Sequence, residues 1–194
     1  MRRLYFLSLC LIGLAAPALA QSVPSLTPVS ADQASDASDA SDQPSGPPVP
    51  SKDVLAAFLK TCTDVSSGDP KAYDRATADG WTPDEPAQSG PYRTIYSATK
   101  DVSGYDSAVL WGSVDSYPTQ RLGYCRVDFG DYDSHIDFND MQGLDGLTGT
   151  VSAPDTNGDV FGAWETPDKK LLVIADRSDG QVEIEYNILL GPKP

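Results

Sequence analysis

The spacing of the apolar residues changes once along this chain, from a helical period of about 3.6 to the period of two that is typical of strands. Residues 51–62 carry apolar side chains at helical spacing on one face: Val54, Leu55, Phe58, Leu59 and Cys62. Residues 181–188 alternate instead, with these apolar side chains facing inward: Val182, Ile184, Tyr186 and Ile188. Because the helical segments come first and the strands later, the order predicts an α+β fold, with two N-terminal helices packed on a mainly antiparallel sheet.

Both helices are marked by residues at their ends. Ser51 has the side chain of an N-cap, and Asp53 suits the first turn of a helix. A second helix is predicted from Asp69, where an N-cap residue precedes a proline, to Gly80. Trp81 is expected to fold back onto the end of that helix.

The second half of the chain predicts a sheet of about five to six strands. Alternation and turn residues delimit the strands as 94–99, 107–115, 121–129, 160–165, 171–176 and 181–188. Residues 116–120 form a hairpin loop, and 171–176 is apolar on both faces. Residues 131–145 are compatible with a short helix or with a loop, because Ser134 and Asp137 resemble a capping box while glycines interrupt the pattern.

The first twenty residues have the pattern of an export signal. A positively charged start, an apolar run at 4–14 and the Ala18-Leu19-Ala20 pattern predict a signal peptide that is cut between Ala20 and Gln21. The alternatives are an uncleaved membrane anchor and a lipoprotein modified at Cys10. The apolar run is short for an anchor, and Leu9 is large for a lipoprotein signal. We therefore expect a periplasmic or secreted protein with no integral membrane segment after cleavage.

A segment of low complexity follows the signal. Residues 21–50 contain no aromatic and no basic residue, and the triplet Ala-Ser-Asp repeats at 34–42. Such a composition buries too little apolar surface to offset the entropy of the chain, so residues 21–50 are predicted to be a disordered linker. Residues 51–194 then form a single globular domain.

Two of the three cysteines remain after signal cleavage. Cys62 lies on the inner face of the first helix, and Cys125 lies on the inner face of a strand with Val127 and Phe129. In an exported chain this pair predicts one disulfide between helix and sheet. The alternative is two buried free thiols.

Composition excludes several functions. The net charge of -14 argues against nucleic acid as a partner, since binding there depends on Lys and Arg neutralising phosphates. A single histidine does not supply a multi-histidine metal site. The chain has no P-loop, no G-x-G-x-x-G and no H-E-x-x-H motif, and we expect neither a cofactor nor a metal.

The densest ionisable cluster provides the candidate catalytic residues. Asp131, Asp133, His135 and Asp137 could form a hydrolase site, with a carboxylate pair acting on a glycoside or a similar substrate. A calcium site is a second interpretation, although the spacing of the carboxylates does not match an EF-hand loop. A solvated acidic loop is the third, and it is the one we favour.

Aromatic residues offer a different kind of site. Exposed aromatic side chains stack on sugars or anchor protein partners. We expect Trp81 to cap its helix, and Trp111 and Trp164 to lie in the core of the sheet. Tyr117, in the hairpin loop beside Pro118, is then the expected exposed aromatic and a candidate partner contact.

Three short motifs of the sequence resemble a pattern found in other proteins. The helix Phe58-Leu59-x-x-Cys62, the helix end Gly80-Trp81 and the later Cys125-Arg126-Val127 resemble a pattern in small exported proteins of Gram-negative bacteria with no assigned activity. The resemblance implies an exported α+β domain with a helix-to-strand disulfide, and it implies no catalytic residues. We therefore expect a non-catalytic domain that binds an envelope protein or cell-wall component, with a hydrolase as the alternative.

Overall fold

The computed structural model describes residues 47–131 and 135–192, which belong to one compact unit of the chain. The predicted signal peptide, residues 21–46 of the predicted linker and Asp133 lie outside the described residues. Residues 47–50, which the sequence analysis assigned to the linker, contact the loop at 101–105. There the amide of Val49 donates to the carbonyl of Ser103 at 3.1 Å, and the hydroxyl of Tyr105 donates to the carbonyl of Val49.

The described residues form two α-helices, α1 (Ser51–Val65) and α2 (Ala72–Ala78). Helix α1 starts where it was predicted, but Ser51 is not its N-cap. Pro50 holds that position, and the Ser51 hydroxyl accepts from the amide of Asp137 at 2.9 Å. Helix α2 starts later than predicted, because the Asp69 carboxylate accepts from the amide of Lys71 in a turn that precedes the helix.

The C-terminal end of α2 has the predicted geometry. Gly80 adopts a positive φ of 94°, and the amide of Trp81 reaches back to the carbonyl of Ala76 at 3.1 Å. Trp81 is buried against α1, with its ring 6.0 Å from that of Phe58. The helix therefore ends in a capping motif that carries an apolar side chain into the core.

In the part of the chain that the structure describes, nine strands form one antiparallel sheet. They are β1 (Thr82–Pro83), β2 (Gln88–Ser89), β3 (Arg93–Lys100), β4 (Ala108–Ser116), β5 (Arg121–Gly130), β6 (Thr148–Val151), β7 (Val160–Glu165), β8 (Leu171–Ser178) and β9 (Gln181–Gly191). Their order is β1-β3-β4-β5-β9-β8-β7-β6, and β2 pairs with the edge of β3.

The predicted number of strands was too low. All six predicted strands are present, and β1, β2 and β6 were missed. Both residues of β1 and of β2 are exposed, and so are the first three of the four in β6. Such strands bury no alternating set of apolar side chains, so the period-two signal is absent from their sequences. The segment 131–145, left open between helix and loop, contains two short 3₁₀ helices, Phe138–Met141 and Leu144–Gly146.

One face of the sheet, here the inner face, carries the helices and the core. Helix α1 packs across β4, β5 and β9, and the first 3₁₀ helix packs against α1 and β6. The core contributed by the central strands comprises Leu110, Cys125, Val127, Val182, Ile184 and Tyr186. Trp164 completes it on β7, with its ring edge-on to that of Phe138 at 6.3 Å.

The predicted disulfide is present and joins the two layers. Cys62 of α1 and Cys125 of β5 are both fully buried, with their Cα atoms 5.3 Å apart. Beside it, α1 ends so close to β5 that a Cβ on Gly123 would lie 2.1 Å from the carbonyl oxygen of Ser66. This approach requires glycine, because any larger residue would push the helix end off the sheet. Among the described residues, no helix combines the length and the apolar character needed to cross a membrane.

Candidate functional site

The opposite, outer face of the sheet has no helix of the described chain packed on it, and one end of it is apolar. A groove of about 590 Å³ lies there. Its apolar and aromatic lining, here called the outer groove, consists of Ile95, Trp111, Leu122, Tyr124, Leu172 and Leu189. All of these except Tyr124 are exposed large hydrophobic residues. A folded protein scatters such residues singly over its surface, whereas a contiguous group of them marks a contact surface.

Strand pairing brings the groove residues together from five strands in two separate parts of the sequence, 93–130 and 171–191. Ser113 of β4 pairs with both Ile95 of β3 and Tyr124 of β5. Tyr124 in turn pairs with Asn187 of β9, which also pairs with Leu172 of β8. All of these side chains share one face because pairing partners in a sheet point to the same side.

A change of register completes the groove at its end. The pairing of β5 with β9 shifts between Arg121 and Leu122, after which Leu122 lies opposite Leu189. The amide of Leu189 donates to the carbonyl of Lys170 at 2.7 Å, so the loop before β8 closes over the end of β9. Two leucines and the lysines of this loop thereby meet at the rim of the groove.

The rim of the groove is more basic than the rest of the chain. Among the lining residues Arg93, Lys169 and Lys170 are basic, and Asp115 is the acidic one. Arg93 pairs with Asp115 at 2.5 Å, Lys169 with Glu165 at 3.9 Å and Lys170 with Asp168 at 3.3 Å, and both lysine side chains are largely exposed. Exposed pairs of this kind are weak, so the two lysines make the rim less negative than a chain with a net charge of -14 is as a whole.

The other end of the outer face is acidic. Glu183 on β9 lies between Asp128 and Asp176 of the neighbouring strands. Arg126 bridges this group, with contacts of 2.8 Å to Asp128 and 3.2 Å to Glu183. Burial raises the pKa of Glu183 above its usual range, and the positive charge of Arg126 opposes that shift.

Tyr124 links the apolar end to the acidic end. Its hydroxyl donates to the carboxylate of Glu185 at 2.8 Å. Burial raises the pKa of Tyr124 far above its usual range, and the neighbouring carboxylate of Glu185 raises it further. The phenol therefore stays protonated and holds its ring in a fixed position at the floor of the groove.

The residues predicted as a catalytic cluster have separate environments. Asp131 is 2% exposed and pairs with Arg177 at 3.1 Å, and it also accepts from the amide of Ile136. His135 and Asp137 are exposed at the surface, and Asp137 accepts from the amide of Asn139 at the start of a 3₁₀ helix. Asp131 and Asp137 thus hold local backbone in place, and Asp131 is closed off from solvent.

The expected positions of the aromatic residues are partly wrong. Trp81 and Trp164 are buried as expected, but Trp111 is 47% exposed in the outer groove. Trp111 lies on strand β4 as predicted, but it belongs to the outer face of that strand. The inner face is formed by Ala108, Leu110 and Val114 instead. Tyr117 is 49% exposed in the hairpin between β4 and β5, at the same end of the sheet as the groove.

Sequence reasoning missed the outer groove, although one signal pointed to it. Strand β8 is apolar on both faces, with Leu171 and Val173 turned inward and Leu172 turned outward. In an antiparallel sheet covered on one side, the outward residues of a strand are normally polar. An outward leucine beside an outward isoleucine on β8 therefore marks a second apolar surface.

The described chain is an α+β domain whose antiparallel sheet is covered by helices on one face. Within its described ranges, no group of three or more His, Cys, Asp and Glu side chains lies close enough together to hold a metal ion. No protein-family model matches the chain, and no curated protein or solved structure is significantly similar to it.

Proposed function

We propose that this chain is an exported, non-catalytic binding domain, and that the outer groove is its contact surface for an envelope protein or cell-wall component. The observation that supports this most is the concentration of exposed apolar side chains at one end of one sheet face. Clusters of this kind, with an aromatic anchor and a polar rim, are typical of contact surfaces.

The chemistry of the groove favours a particular kind of contact. Trp111 and Tyr124 present large faces at low cost in conformational entropy, which suits stacking on an apolar group or a sugar ring. The side chains of Lys169 and Lys170 are largely exposed, and their surface pairs with Glu165 and Asp168 are weak, so their ammonium groups favour negative charge in the same partner. The partner is therefore an amphipathic group with acidic substituents.

Export is supported by independent observations. The Cys62–Cys125 disulfide is of a kind that persists in oxidising compartments. The sequence of residues 1–20 has the pattern of a signal peptide, and the short motifs around the two cysteines resemble those of small exported proteins.

The proposal is tested by retention of envelope components on the immobilised protein. Leu172→Ser removes an apolar contact from the outer groove, and Phe161→Ser is the matched control. Phe161 lies on the outer face as well and is 49% exposed, close to the 41% of Leu172, but it does not line the groove. We expect wild type and Phe161→Ser to retain the same component, and Leu172→Ser to lose it.

Two results would count against the proposal. The first is a component that all three proteins retain equally, since the groove would then not be the contact surface. The second is the absence of any component that wild type retains above a column without protein. Circular dichroism of each variant confirms that loss of retention does not reflect loss of fold.

A further inference from the structure

A second concavity lies on the inner side of the sheet, at the end where the β4–β5 hairpin extends past the helices. This inner cleft has a volume of about 470 Å³. Its floor is formed by Thr94, Val114, Ser116 and Arg121 of three adjacent strands, and its wall by the Gly68–Pro70 turn and Tyr73 of α2. The inner cleft and the outer groove therefore lie on opposite faces of the same strands.

Arg121 is the unusual member of this cleft. Its Nε atom is buried, and among the described residues it has no hydrogen-bond partner. Every other arginine of the described ranges pairs with a carboxylate: Arg75 with Asp64 and Asp69, Arg93 with Asp115, Arg126 with Asp128 and Glu183, and Arg177 with Asp131. Within the described ranges Arg121 thus has no carboxylate partner, in a chain that has 28 acidic and 14 basic residues.

The position of the guanidinium follows from the backbone around it. Arg121 precedes the outward Leu122 on β5, so its side chain points to the inner side. It lies against the turn after α1, where a Cβ on Gly68 would be 3.0 Å from its Nη1 atom. Gly68 has a φ of 82°, a conformation that favours glycine, so the turn and the guanidinium share a space without a side chain between them.

Asp69, the one acidic residue that lines the cleft, is engaged elsewhere. Asp69 accepts from the amide of Lys71 at 3.0 Å and from Arg75 at 2.9 Å. The hydrogen bond from the Lys71 amide, followed by that from Arg75, holds the pKa of Asp69 below its usual range. Its charge is therefore balanced by other donors.

A partly buried guanidinium with a buried, unpaired donor is unfavourable, because desolvation of the charge is not offset by a hydrogen bond. An oxyanion restores that balance, since the fork of N–H donors matches the oxygens of a carboxylate or a phosphate. Hydroxyl groups of Thr94, Ser116 and Tyr73 line the same cleft and are suited to donate to further oxygens.

We propose that the inner cleft is a binding site for a small oxyanion, a carboxylate or phosphate group, held by Arg121. This site is separate from the contact surface proposed above, because Arg121 and the outer groove face opposite sides of the sheet. The volume of the cleft is in the range of sites for small organic molecules, so the anion is a substituent of a small solute.

The test is a titration of the full chain with sodium phosphate and, separately, with sodium acetate. Sodium chloride keeps the ionic strength constant, so that screening does not change. The Nε–Hε resonance of Arg121 in nitrogen-15 NMR spectra reports the site directly, and the thermal unfolding midpoint reports linkage to stability. We expect a saturable shift of that resonance and a rise of the midpoint with at least one anion.

Three variants separate the site from general effects of the salt. Arg121→Gln is expected to lose the saturable response. Arg126→Gln, on the outer face of the same strand β5 and outside both the cleft and the outer groove, is expected to keep it. Arg121→Lys keeps the charge without the planar fork, and it is expected to bind the anion roughly tenfold more weakly than wild type. This variant provides the test if Arg121→Gln does not fold.

The pattern across the two anions identifies the ligand. Saturation by phosphate alone assigns the cleft to phosphate groups, and saturation by acetate alone assigns it to carboxylates. A linear response to both anions would overturn the proposal, and so would an equal response of wild type and the Arg121 variants.

Discussion

The buried pair of Asp131 and Arg177 gives the sharpest prediction about stability. The Asp131 side chain has no exposed surface, and that of Arg177 is 20% exposed. Their nearest atoms are 3.1 Å apart, and Arg177 also donates to the carbonyl of Ile136, whose amide donates to Asp131. The pair therefore closes a small network between β8 and the segment that follows β5.

The expected magnitude follows from this geometry. Two unit charges 3.1 Å apart attract by about 5 kcal/mol at an effective dielectric constant of about 20. Much of that attraction offsets the desolvation of the two groups. Removal of one partner nevertheless leaves the other buried and unpaired, and we expect Arg177→Met to lower the free energy of unfolding by about 3–5 kcal/mol.

A double-mutant cycle isolates the pair. Asp131→Asn removes the charge but keeps an acceptor for the amide of Ile136, so a loss of about 2 kcal/mol is expected. In Asp131→Asn/Arg177→Met no charge remains unpaired, and the double variant should lose at least about 1.5 kcal/mol less than the sum of the single losses. Urea unfolding of the disulfide-bonded protein, followed by circular dichroism, measures all four free energies.

A control of the same chemistry is available on the surface. Arg126→Met breaks a pair whose side chains are 37% and 28% exposed, and it should cost less than about 1 kcal/mol. The argument would be refuted if the two single losses summed to the loss of the double variant within about 0.5 kcal/mol, because the two side chains would then not be coupled. A loss from Arg177→Met no larger than that from Arg126→Met would refute it as well.

The disulfide and a buried tyrosine give two further predictions. Cys62→Ala/Cys125→Ala should lower the free energy of unfolding by about 4 kcal/mol, because the bond closes a loop across a sequence separation of 63 residues; a loss below about 1 kcal/mol in urea unfolding would contradict this. Tyr186→Phe should stabilise the protein by about 1 kcal/mol at neutral pH, since its hydroxyl is buried without a partner. Burial also raises the pKa of Tyr186 above the unfolded value of 10.0, so above pH 10 the phenol ionises more readily in the unfolded chain than in the folded protein. The free energy of unfolding is therefore unaffected by this group below pH 10 and falls as the pH rises further. Tyr186→Phe should reduce that alkaline loss, measured by urea unfolding at pH 8 and pH 11.

The elements with a strong local signal were predictable. Helix α1 and strand β9 have unbroken periodicity, and the end of α2 is marked by Gly80 and Trp81. The capping geometry at that end depends on residues within one turn of each other, so the sequence contains all of it. The three missed strands are short and exposed, so their sequences carry no alternating set of apolar side chains that would reveal them.

The candidate site was much harder to predict than the fold. Trp111 was expected in the core because alternation reveals that a strand has two faces but not which face is covered. In the structure, α1 covers the face with Leu110 and leaves Trp111 exposed. The sequence around 131–137 did not reveal that Asp131 is buried, because its partner Arg177 lies on β8, far away in the sequence.

The sequence by itself predicted the α+β class and the hairpin that carries Tyr117, and it favoured the pairing of Cys62 with Cys125. The first two follow from local periodicity and turn residues, and the pairing follows from the expected export of the chain. Only the tertiary structure decided that the sheet exposes an apolar groove on one face and, on the other, an arginine that pairs with none of the described carboxylates. Both depend on which side chains the tertiary structure brings together, and the pairing of β5 with β9 is a long-range interaction that local sequence does not encode.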